Sequence, residues 1–268
     1  MRTYLRVGTA LLATIVSLVA TAAYCQQPSP AEQTLAKNAE AGRYTFLVFY
    51  KQEGPATQSM LQAVKQHTSS RTDEASVALV PVGHPSEKRL VEKLGISRAP
   101  MPLCVVMAAN GAVTGLFQKA PAAQEVANAF VTPTMLHCMK AMQDGKIVLI
   151  SVERNGDGTP AAAVTGFQAD PHYQNRVATV SFNPADPRET DFLKQLDLDA
   201  DNKGAIATIL LAPPGVLVGK YKANASHAEM AEELAAAGKC CDDPNCKHHK
   251  HTHTNAKSAQ QNSGTRRN

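Results

Sequence analysis

Phe46-Leu47-Val48-Phe49-Tyr50 is an unbroken apolar and aromatic run, and the polar stretch Lys51-Gln52-Glu53-Gly54-Pro55 follows it at once. A run of strand formers with no polar alternation predicts a strand buried on both faces, the centre of an α/β sheet. Gly54-Pro55 ends it and opens a helix, in which Met60, Leu61, Val64 and His67 recur at helical spacing. Val77 to Val82 predicts a second strand, and Lys88 to Leu94 a second helix. Leu103 to Met107 is a third strand, Asn110-Gly111 is a hairpin signal, Val113 to Phe117 returns, and Ala122 to Val131 closes with a helix.

The second half repeats this order. Met135 to Met142 is helical, Ile147 to Val152 and Val177 to Phe182 are strands, and Asp191 to Leu196 is a short helix. Ile206 to Leu211, the Pro213-Pro214-Gly215 turn, Val216 to Tyr221 and the helix His227 to Ala237 complete it. The economical reading is two similar α/β sandwich modules in tandem, over residues 44–132 and 133–238, with a linker and N-terminal helix at 26–43.

The arrangement resembles the thioredoxin superfamily. In that family the first strand leads into a Cys-x-x-Cys turn, which a cis-proline loop later faces. Here FLVFY runs into Lys51-Gln52-Glu53-Gly54-Pro55-Ala56-Thr57 with no cysteine, while Gly95 to Pro102, followed by a strand and Asn110-Gly111, resembles the cis-proline loop. The resemblance implies two tandem thioredoxin-like domains and a cis bond at Met101-Pro102, Pro102 being the structural cis-proline. In the second module the stretch Gly204 to Thr208 corresponds, with Ala207 where the family pattern has proline and a trans peptide expected there; the strand ending in Glu153-Arg154-Asn155-Gly156 again lacks cysteine. Dithiol exchange needs an activated thiolate and a resolving partner, and neither module turn supplies them.

Arg2 and Arg6 precede an apolar run from Thr9 to Val19 that ends in Ala20-Thr21-Ala22-Ala23. That order reads as a secretory signal peptide over residues 1–25, which places the mature chain in the periplasm or outside the cell with no membrane span. Cys25 sits where a lipoprotein carries its lipid, but bulky Tyr24 disfavours that anchor. With 27 Lys and Arg against 23 Asp and Glu, and no Trp, the composition argues against a nucleic-acid partner.

The concentrated chemistry lies in residues 239–268, a flexible tail. Cys240, Cys241 and Cys246 stand beside His248, His249, His251 and His253, and Asp243-Pro244-Asn245 favours a turn that brings Cys241 toward Cys246. Thiolates with imidazoles form a donor set for Zn or Cu as cofactor. The same cysteines also allow a disulfide in an oxidising compartment, or a merely solvating terminus.

Elsewhere the readings are structural. Met135, Met139 and Met142, with His137 and Cys138, carry soft donors on one helix, but that stripe is how a helix packs on a sheet. Cys104, inside a strand, is expected to be a small buried hydrophobe. Asp197, Asp199 and Asp201 alternate like the start of a calcium loop, yet Thr208 stands where the bidentate Glu belongs. The expected function is an exported, non-catalytic binding or adaptor protein whose partners are a metal ion and an envelope protein client. A thiol-disulfide oxidoreductase using the tail cysteines, and a surface protein attached by its tail, are the alternatives.

Overall fold

The computed structural model describes residues 27–153, 160–198 and 206–239. The first module runs α1 (Pro30–Glu40), β1 (Tyr44–Tyr50), α2 (Pro55–Thr68), β2 (Ala75–Pro81), α3 (Lys88–Lys93), β3 (Leu103–Met107), β4 (Val113–Phe117) and α4 (Ala123–Asn128). The second runs α5 (Pro133–Gln143), β5 (Ile147–Val152), α6 (Ala162–Ala169), β6 (Val177–Phe182), α7 (Thr190–Gln195), β7 (Ile206–Ala212), β8 (Val216–Lys222) and α8 (His227–Lys239). The sheets are ordered β2-β1-β3-β4 and β6-β5-β7-β8, each with one parallel pair and two antiparallel ones.

The central position of β1 explains its unbroken apolar run. Leu47 and Phe49 pack with Ala31 of α1 and Leu90 of α3 on one face, while Phe46 and Val48 pack with Met60 and Val64 of α2 and Val126 of α4 on the other. In the second module β5 sends Val148 and Ile150 toward Cys138 of α5 and Phe192 of α7, and Ile147 and Leu149 toward Phe167 of α6 and Met230 of α8. Because successive strand residues point to opposite faces, both layers of helices need apolar partners from one strand.

The two modules share devices that the hydrophobic pattern does not display. In each, a glutamate from a 3-10 turn reaches the start of the module's first helix. Glu87 accepts from Ser29 Oγ at 2.6 Å and from the Ala31 amide at 3.4 Å. Glu189 accepts from the Thr134 amide at 2.8 Å and from Thr134 Oγ1 at 2.7 Å. Helix α1 is therefore the counterpart of α5 and packs on β1 and β2 as part of the first sandwich. Gly115 and Gly219 also correspond: a Cβ at Gly115 would lie 3.1 to 3.2 Å from Val106, Ala129 and Phe117, and one at Gly219 would meet the Tyr221 hydroxyl at 2.5 Å.

Two elements differ from the sequence pattern. Helix α4 stops at Asn128, because Phe130 leaves the helix to pack on Tyr44, with ring centroids 4.8 Å apart, and Tyr44 Oη accepts from the Val131 amide at 3.2 Å. Helix α6 went unread: its sequence, Ala-Ala-Val-Thr-Gly-Phe-Gln-Ala, is dominated by small residues and offers only a faint apolar stripe.

The modules meet along α5 and β4. Asn110, in the hairpin turn where Gly111 takes φ +82°, accepts from the Ala112 amide at 3.1 Å and donates to the Leu136 carbonyl at 2.9 Å. Among the described residues no helix is long and apolar enough to cross a membrane. Residues 1–25, expected to be a signal peptide, lie outside them.

Candidate functional site

β1 delivers the chain to Lys51 at the edge of the first sandwich, and Gly54 in extended backbone hands it to α2 with Pro55 in the first turn. Pro55 has no amide to satisfy there, so it suits the position. Thr57 is 3% exposed and donates its hydroxyl to the Gln52 carbonyl at 3.1 Å, which ties the helix start back to the loop. Opposite lies Met101-Pro102, whose peptide is cis. Lys51 to Thr57 on one side and Met101 and Pro102 on the other enclose an open cavity of about 540 Å³.

The walls of this cavity offer an ammonium, an amide, a carboxylate and backbone groups. Its sequence contributes no thiol. The thiols that the folded modules do hold are sealed in the core. Cys104 pairs with Val48 and Phe117 in the sheet and is 0% exposed, and burial pushes its thiol up to about 12. Cys138 on α5 is equally enclosed, and burial, reinforced by the Glu189 charge, pushes it up to about 12. A buried thiol with that acidity is neutral at physiological pH and is not activated for attack on a disulfide.

The second module's corresponding turn, residues 154–159, lies outside the described residues. The strands that carry the two turns are matched by their register. Tyr44 and Ile147 open equivalent parallel ladders, so Val48 corresponds to Ser151; their antiparallel partners, Cys104 and Thr208, then correspond as well. Before Thr208 the pairing with β5 stops, and a register shift sets two residues of β7, Ile206 to Thr208, against one step of β8. The Ile206-Ala207 peptide is not cis.

The proposed metal ligands Cys240, Cys241, Cys246, His248, His249, His251 and His253 lie outside the described residues, as do Asp199 and Asp201. Among the described residues no three His, Cys, Asp or Glu side chains come together as a metal group. Met135 and Met142 pack with Cys138 in the core around Phe182 and Phe192, as a helix stripe packs on a sheet, while His137 is exposed. His84, beside Pro85, caps a 3-10 turn, Nδ1 accepting from the Ser86 amide at 3.3 Å. The buried Glu87 and Glu189 were also missed, although Pro-x-Glu recurs in both halves as Pro85-Ser86-Glu87 and Pro187-Arg188-Glu189.

Strand order and the layered helices define two tandem thioredoxin-like α/β domains. No family model and no curated protein matches the chain. Among solved structures, the chain is similar to a disulphide isomerase from Xylella fastidiosa, at 18% identity over 36% of this chain and 82% of that one, with a TM-score of 0.25. It is also similar to the N-terminal domain of alkylhydroperoxide reductase AhpF from Enterococcus faecalis, at 16% identity over 75% and 96% of the two chains, with a TM-score of 0.26. The zinc-bound form of human ERp44 matches at 9% identity over 77% of this chain and 58% of that one, with a TM-score of 0.33. At these values the likenesses add nothing to the strand order, on which the fold assignment rests.

Proposed function

We propose that this chain is an exported, non-catalytic binding or adaptor protein, in which two thioredoxin-like modules form a scaffold and the Cys240–His253 tail captures Zn or Cu. The observation that supports it is the cavity facing Pro102. It offers polar groups to hold a ligand but no thiol, and the nearest strand thiol is buried and neutral. Binding without exchange is what such a site can do. The tail supplies a concentration of thiols and imidazoles that neither module has.

Reduced mature protein is expected to take up Zn(II) or Cu(I) in equilibrium dialysis beyond a chain ending at Gly238, and to leave insulin unreduced. Equal uptake by the two chains overturns the metal reading. Insulin reduction that Cys246→Ser abolishes overturns the non-catalytic one, in favour of an oxidoreductase working through the tail.

A further inference from the structure

We infer that the outer edge of β6 is a docking site for an extended acidic peptide segment, which adds to the second sheet as a fifth strand. Each sheet has two edges, and three of the four are blunted. β4 carries Gly115, a register shift and the Gln143 side chain laid against Val113. β8 carries Gly219, Lys220, Lys222 and two register shifts. β2 ends in Pro81 and enters beneath Arg43, whose guanidinium donates to the Ala75 carbonyl at 2.9 Å. These are the usual protections against strand addition.

β6, Val177-Ala178-Thr179-Val180-Ser181-Phe182, has no charge, proline, glycine or register shift. The carbonyls of Arg176 and Phe182 accept from amides at the two ends of β5, so the even-numbered positions between them also face β5. The amides and carbonyls of Thr179 and Ser181 therefore point away from the sheet. Among the described residues no strand pairs with that edge.

A cavity of about 550 Å³ lies along Ala178 to Ser181, and α5 with its C-terminal loop walls it on the other side through His137, Lys140, Asp144 and Lys146. Main-chain groups of the edge give such a site affinity, and the wall gives it preference. Here the wall is cationic in balance, since Asp144 offsets only Lys140, its ion-pair partner. A second copy pairing edge to edge would bring two such walls together, and residues 239–268, with six Lys and Arg against Asp242 and Asp243, carry the wrong sign. An acidic segment of another protein fits both features.

The test uses the whole mature chain and a fluorescent decapeptide alternating Glu with Val and Thr, read by anisotropy. Saturable binding is expected, weakened at least about tenfold when alternate peptide amides are N-methylated or when Glu is replaced by Lys. Thr179→Pro, which removes an outward amide together with the exposed bond that Thr179 Oγ1 accepts from Gln168, and Lys140→Glu with Lys146→Glu are each expected to weaken it similarly while circular dichroism stays unchanged. Undiminished binding of the N-methylated peptide to the wild-type protein overturns the proposal without recourse to any variant. So does a concentration-dependent dimer that Thr179→Pro dissociates, which would make a second copy the occupant.

Discussion

The side-chain amide of Gln143 grips both backbone polar groups of Val113: Nε2 donates to the Val113 carbonyl at 2.7 Å, and Oε1 accepts from the Val113 amide at 2.9 Å. The last residue of α5 thus imitates one rung of a strand and covers the start of β4, joining the two modules through groups that would otherwise face water. Gln143→Ala is expected to speed hydrogen exchange at the Val113 amide and to cost roughly 0.5–1.5 kcal/mol per bond lost, at the low end because the pair is exposed. Unchanged exchange at Val113 would show that the contact does not persist in solution.

Thr208 is the counterpart of Cys104, and both are fully buried. The sulfur is at ease in an apolar core, but Thr208 Oγ1 has no hydrogen-bond partner among the described residues. Thr208→Val keeps the branched shape and removes the hydroxyl, so it is expected to raise stability by about 1 kcal/mol in urea denaturation. Destabilisation would mean that the hydroxyl is satisfied, by water or by the neighbouring segment before β7.

The paired glutamates separate two kinds of buried carboxylate. Glu87 uses one oxygen for Ser29 Oγ and the other for the Ala31 amide, whereas both of the Glu189 bonds, to the Thr134 amide and hydroxyl, fall on Oε1, and Oε2 has no partner among the described residues. An amide in place of the acid keeps one acceptor. Glu189→Gln is therefore expected to be nearly neutral, while Glu87→Gln turns the group facing Ser29 from acceptor to donor, so that the Ser29 hydroxyl must accept there and give up its own donated bond, at a cost of about 1 kcal/mol in urea unfolding. Equal costs at the two sites would refute this division of labour.

These contrasts also show what the sequence could disclose. Apolar runs located β1, β3 and β5, because a strand buried on both faces must be apolar throughout. Asn110-Gly111 located the hairpin, because its φ of +82° is cheap for glycine. The cavity beside Pro102 was legible as a family pattern in Lys51–Thr57 and Gly95–Pro102. Polar devices acting over long separations were not: Glu87 meets Ser29 across 58 positions, and no local periodicity records that.

Cys104 and Cys138 carry the pH prediction. In the unfolded chain each thiol titrates near 9.0, and in the fold burial pushes both up to about 12. Raised folded values mean that the unfolded state loses its protons first, so stability is fully present below about pH 9 and falls as pH climbs toward 12. Urea midpoints are expected to hold between pH 7 and 8.5 and to drop by pH 10.5, with the drop reduced in Cys104→Ala/Cys138→Ala measured against its own value at pH 7. The same burial predicts that iodoacetamide at pH 8 leaves both residues unmodified in the native protein and labels both in urea. Rapid native labelling of Cys104 would place a reactive thiol behind Pro102 after all, and with it the case for a binding module without exchange chemistry would fail.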